Sequence, residues 1–89
     1  MTQLKPKHLI NPFIVKYPVT QKKVTHLFDH PGEEFFMVLK GEVEFVYGTE
    51  TIILNAGDAI HLDASVPHRG QNIGNEESEC LVIVVGETG

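Results

Sequence analysis

Tryptophan is absent from the 89-residue chain, and cysteine occurs once, at Cys80. A lone cysteine excludes an internal disulfide and suits a reducing compartment, so the expected location is the cytoplasm. No apolar run approaches the roughly 20 residues a helix needs to cross a bilayer, and no membrane association is expected. The stretch Leu9–Val15 is apolar only in patches, broken by Asn11 and Pro12 and closed by Lys16, so it does not read as a signal peptide. Basic residues are scarce beyond residue 23. Lys40 and Arg69 stand there against twelve acidic residues, a formal −10 within a total of −5. A body so charged repels nucleic acid, and no direct nucleic-acid binding is expected of it. The other five lysines precede Asp29, the first acid. They form a basic N-terminal stretch, about residues 1–23, without a helix-turn-helix pattern or interleaved aromatics. It reads as a solvated edge or dimer arm.

Helical periodicity is missing as well: nowhere do apolar residues recur at i, i+3, i+4 and i+7 over three turns. Short runs rich in Val, Ile, Phe and Leu take its place, and they predict strands over Phe13–Tyr17, Val24–Phe28, Glu34–Leu39, Glu42–Tyr47, Thr51–Leu54, Ala59–Leu62 and Cys80–Val85. Lys40-Gly41 reads as a two-residue hairpin, with Gly48-Thr49-Glu50 and Asn55-Ala56-Gly57-Asp58 as further turns. Such spacing predicts one all-β domain, an antiparallel sandwich or small barrel, with its body over residues 24–86. There are no internal repeats, low-complexity segments or linkers. In Cys80-Leu81-Val82-Ile83-Val84-Val85 both faces are apolar. Either a second copy covers one face, giving a homodimer, or the N-terminal strand or a loop does so.

Two blocks carry the chemistry: His30-x3-Glu34-x6-Gly41 and Gly57-x10-His68-x3-Asn72. Folded together, they bring two imidazoles and one carboxylate toward one point, a donor set that holds a divalent metal with positions left open. Extended strand would separate His30 from Glu34 by about 13 Å. Pro31-Gly32 between them favours a type II turn that closes this distance. On a strand Glu34 shares a face with Phe36 and Val38 while Glu33 points away, so Glu34 is the expected ligand. Asn72 suits a loop-fixing amide. Taken singly, a Glu-Glu pair after Pro-Gly is an exposed turn and each His is a surface or core group; their joint spacing favours His30, Glu34 and His68 as metal ligands.

At these residues the chain resembles the cupin superfamily, whose first motif reads G-x5-H-x-H-x3,4-E-x6-G and second G-x5-P-x-G-x2-H-x3-N. His30, Glu34 and Gly41 match the first, and Gly57, His68 and Asn72 the second. The resemblance covers roughly residues 26 to 85. It implies a cupin jelly roll, a double-stranded β-helix or small antiparallel barrel, and a divalent transition metal such as Fe, Mn, Ni or Zn. It does not specify a substrate, because cupins include oxygenases, isomerases, storage proteins and sensors. Phe28 stands at the first motif histidine, Asp63 at the motif proline and Ser65 at a motif glycine. Three protein ligands therefore remain of the family's four, or else Phe28 has retired the site and left a metal-free apolar pocket. His26 lies about 6.6 Å too far back along a strand to substitute, and reads as a pocket or packing residue. His8 and His61 fit no ligand spacing and read as surface residues.

Phe28, Phe36, His26, Arg69 and Tyr47 are the expected pocket residues. Arg69 is placed to pair with a ligand carboxylate or phosphonate, or is a surface arginine beside a loop. Cys80, between apolar neighbours, reads as core. Three functions follow in order of preference. The first is a small-molecule binding or sensing domain. The run His30–Phe35 and the stretches Gly57–Asp63 and Pro67-His68-Arg69 resemble the cupin halves of helix-turn-helix regulators, and without the helical half this chain would be a stand-alone relative or an excised piece. The second is a metal-dependent enzyme of oxygenase or isomerase type acting on a small polar substrate. The third is a metal-free structural or interaction barrel.

Overall fold

The computed structural model describes residues 8–20 and 22–87; of the basic stretch, Lys5 and Lys7 lie outside the described residues, as does the side chain of His8. Seven strands form: β1 (His8–Tyr17), β2 (Glu33–Lys40), β3 (Glu42–Tyr47), β4 (Glu50–Asn55), β5 (Ala59–Asp63), β6 (His68–Asn72) and β7 (Ser78–Glu87). They make two antiparallel sheets, ordered β1-β7-β2-β5 and β4-β3-β6. The architecture is a jelly-roll sandwich rather than a closed barrel. No helix among the described residues is long and apolar enough to cross a membrane.

Alternation decides which face of each strand meets the other sheet. Phe36, Val38, Leu62, Cys80 and Val82 of the first sheet and Val43, Phe45 and Leu54 of the second close into one buried cluster. Phe36 and Phe45 meet across it, with ring centroids 4.8 Å apart. Aromatic pairing of this kind adds to the area that the two rings bury.

Lys40-Gly41 does not make a hairpin. β2 pairs with β5 and β7, whereas β3 pairs with β4 and β6, so the chain passes from one sheet to the other at Gly41. Gly41 takes φ +90°, and a Cβ there would lie 2.8 Å from that of Ser78, so the corner needs a residue without a side chain. Asn55–Asp58 makes a second crossing, and among the described residues only Gly48-Thr49 closes a hairpin of adjacent strands, β3 and β4.

The expected strand over Val24–Phe28 does not form. Phe28 alone exchanges backbone hydrogen bonds with His68, both at 2.8 Å, while Val24 donates its N–H to the side chain of Gln71. In its place β6, His68-Arg69-Gly70-Gln71-Asn72, runs beside β3. It has no apolar side chain and so gives no hydrophobic signal; its polar groups are buried and satisfied instead.

A candidate metal centre and its pocket

Three segments meet at one end of the sandwich. His30 lies on the turn into β2, Glu34 on the inner face of β2, and His68 at the start of β6 in the opposite sheet. Pro31-Gly32 makes the turn that brings the first two together, with Gly32 at φ +100°. A Cβ on Gly32 would overlap the carbonyl oxygen of Val85. The backbone of this turn is tied to the loop after β5: His30 N–H donates to Ala64 O at 2.9 Å, and Ala64 N–H to Gly32 O at 3.0 Å.

Glu34 Oε1 lies 3.2 Å from His30 Nε2 and 3.5 Å from His68 Nε2. One donor atom from each of the three residues lies within 4.8 Å of the others. Glu34 and His68 are each 6 % exposed, and His30 is half-buried. Both rings are held from behind. His68 Nδ1 lies 2.7 Å from Val66 O and His30 Nδ1 lies 3.3 Å from Pro31 O. A carbonyl only accepts, so Nδ1 carries the hydrogen in each ring, and Nε2, turned toward Glu34, is the atom each ring would offer a metal. Backbone orientation of this sort commonly fixes metal-ligating histidines. Two neutral imidazoles and a buried carboxylate suit Fe(II), Mn(II), Ni(II) or Zn(II) alike.

The three donors line a pocket of about 300 Å³. The buried rings of Phe36 and Phe45 line it, together with Val15, Tyr17 and Val82 of the four-stranded sheet and with Val24 and Phe28. Burial pushes the Tyr17 phenol well above its ordinary value, with the charges of Cys80 and Glu34 adding to the effect, so it stays a hydrogen-bond donor. Burial also raises the Cys80 thiol, to about 11, which fits a core residue rather than a nucleophile.

Among the residues expected at the pocket, Phe36 is on its wall. Phe28 is 58 % exposed at its mouth, with its backbone clamped to His68 and its ring against His26 at 4.7 Å. His26 is not on the pocket wall and packs instead. Arg69 reaches the wall but is buried and engaged, donating to Gln71 Oε1 at 3.0 Å and Glu44 Oε1 at 3.2 Å. It is neither a surface arginine nor a free anion clamp. Tyr47 accepts from Asp63 N–H at 3.3 Å, away from the pocket. Asn72 fixes loops: its amide donates to Tyr17 O and Glu76 O and accepts from Gly74 N–H. His61 is exposed and 3.0 Å from Glu33. Sequence reasoning missed Val24, Phe45, Gly70 and Val82 on the pocket wall, and also Phe13, Val15 and Tyr17, although the period-two spacing of these last three on β1 marks them as one face.

A family model described as "Cupin domain" matches residues 13–84. Among solved structures, an Fe(II) HppE in complex with substrate superposes with a TM-score of 0.75 at 22% identity, covering 84% of this chain and 45% of that one. Hydroxypropylphosphonic acid epoxidase from S. wedmorenis, in complex with fosfomycin, gives a TM-score of 0.74 at 21% identity, over 84% and 43% of the two chains. A conserved protein of unknown function from Streptococcus pyogenes gives 0.69 at 21% identity, over 97% and 70%. The chain thus spans less than half the length of the epoxidase structures, and at these identities the likeness is one of fold. No curated protein matches the sequence.

Proposed function

The chain belongs to the cupin family, and from that premise we propose that it is a metal-binding domain that binds or senses a small molecule. The observation that carries this reading is the convergence of His30, Glu34 and His68, with donor atoms within 4.8 Å of one another, at the wall of an aromatic-lined pocket. His30 and His68 would supply Nε2 and Glu34 a carboxylate oxygen, leaving positions open toward the pocket. A metal held there supplies Lewis acidity, polarising an oxygen of the bound molecule. The chain's own residues do the rest: Phe36 and Phe45 exclude water below, Phe28 and Phe13 flank the entrance, and the Tyr17 phenol offers a hydrogen bond beside Glu34. Cys80, a single buried thiol, suits a reducing compartment, and we assign the domain to the cytoplasm.

A second reading, a metal-dependent enzyme of oxygenase type, is favoured by the two-histidine, one-carboxylate set and by the likeness to an Fe(II) epoxidase fold. The phosphonate of that enzyme's name does not transfer readily, because Arg69, the cationic side chain on the pocket wall among the described residues, is already paired with Glu44.

Cobalt(II) substitution tests the proposal. The expected result is a visible absorption band that changes when azide or acetate is added, as open positions facing a pocket require. A band indifferent to both anions would contradict a binding site for small molecules at the metal.

A further inference from the structure

We propose that the outer face of the four-stranded sheet is the contact surface of a homodimer. The other sheet packs on the inner face, and register sets the outer one: Ile14, Leu81 and Met37 lie in one row, and Pro12, Ile83 and Phe35 in the next. Ile10, 67 % exposed, extends the patch, and Ile14 is 51 % exposed. β1 covers an edge of β7, not this face, so the double-sided apolarity of Cys80–Val85 is left unanswered by the described strands. A contiguous apolar surface of this kind marks an interaction site.

The rim selects a second copy. Lys16 occupies one corner of the face, beside Glu79 at 3.8 Å, in an exposed pair that leaves it available. Glu33 and Asp63 face each other across β2 and β5 at the diagonally opposite corner. A two-fold axis lying in the interface, across that diagonal and close to Ile83, sets the apolar centre on itself and each Lys16 on the partner's acidic corner. Such an isologous contact is self-complementary in both shape and charge. Strand spacing and rise make the face about 20 by 20 Å, which buries roughly 1,000 Å² in total, at the small end of specific interfaces. The dimer therefore dissociates on dilution. It also bears on the pocket: β1, held in its sheet by β7 alone, carries Phe13, Val15 and Tyr17 to the wall, and the second copy braces it.

Sedimentation velocity across a dilution series tests this with the protein as it is. A concentration-dependent dimer is expected. Ile83→Glu should raise its Kd by about a hundredfold or more, since each copy would bury an unpaired charge. Lys16→Glu should weaken the dimer, and adding Glu33→Lys should restore it. Ile83→Cys gives a second measurement, because cysteines close to the axis should cross-link two chains under mild oxidation while buried Cys80 stays reduced. A wild-type chain that stays monomeric at every concentration overturns the proposal and gives the face to a different partner. A dimer indifferent to Ile83→Glu, with no cross-link through Ile83→Cys, overturns it in favour of another face.

Discussion

Tyr17 rests its phenol against the backbone of Gly70, so closely that a Cβ on Gly70 would lie 2.8 Å from the phenolic oxygen and 3.2 Å from Cζ. The same Cβ would come within 3.4 Å of the Phe36 ring. This gap in β6 is what lets a residue of the N-terminal strand reach the pocket wall.

Gly70→Ala should therefore push the Tyr17 ring out of place. The expected cost is about 1–3 kcal/mol, typical of an overfilled core, and urea unfolding measures it. Metal binding should survive, since the atoms nearest a Cβ on Gly70 belong to Tyr17 and Phe36 and not to His30, Glu34 or His68. A variant as stable as the wild type would mean that Tyr17 does not depend on this gap.

Gly32→Ala should damage the candidate metal centre itself. The position combines φ +100° with an overlap against Val85 O, so both strain and clash oppose any side chain. The expected result is a loss of roughly 2 kcal/mol or more of stability together with weaker metal binding, because the turn sets His30 against Glu34. Metal titration of the variant checks it.

Arg69→Met should destabilise the fold by about 2–3 kcal/mol, leaving Glu44 without its donor and Gln71 Oε1 with the Val24 N–H alone. Glu44 is partly exposed, so water relieves some of that loss. Thermal unfolding reads the cost. Titration of the wild-type protein with propylphosphonate should show no binding through this arginine.

Stability should fall on the alkaline side. Cys80 rises from an ordinary value of 9.0 to about 11, and Tyr17 rises above its ordinary 10.0, both chiefly through burial. The folded chain thus holds these protons where the unfolded chain has lost them. The contribution is fully present below about pH 9, and it declines as pH rises toward and through the folded values. Urea unfolding between neutral and alkaline pH should show the decline, and the double variant Cys80→Ala with Tyr17→Phe should flatten it.

Much of the fold was legible because the sequence alternates. Glu34-Phe35-Phe36-Met37-Val38 and Glu42-Val43-Glu44-Phe45 declare their inner faces, and the glycines declare their turns. The convergence of His30, Glu34 and His68, a group that could hold a metal, was legible for the same reason, since period two fixes Glu34 rather than Glu33 toward Phe36. Pairing was not. Lys40-Gly41 looks like a hairpin locally, and only the competition between two sheets for β2 and β3 turns it into a crossing. β6 escaped because its burial rests on hydrogen bonds, not hydrophobicity, and Val24–Phe28 misled because apolar residues there face the pocket mouth and solvent without a ladder beside them. Arg69 could not be placed without knowing that Glu44 sits beside it, a contact across 25 residues.

Metal content of the purified, untagged protein, measured by elemental mass spectrometry beside His68→Ala and Glu34→Gln, tests the central claim most directly. The account predicts close to one equivalent of a divalent transition metal in the wild type and a large loss in both variants. A wild-type protein without metal after reconstitution with Fe(II), Mn(II), Ni(II) and Zn(II), or one whose metal survives both substitutions, would contradict it.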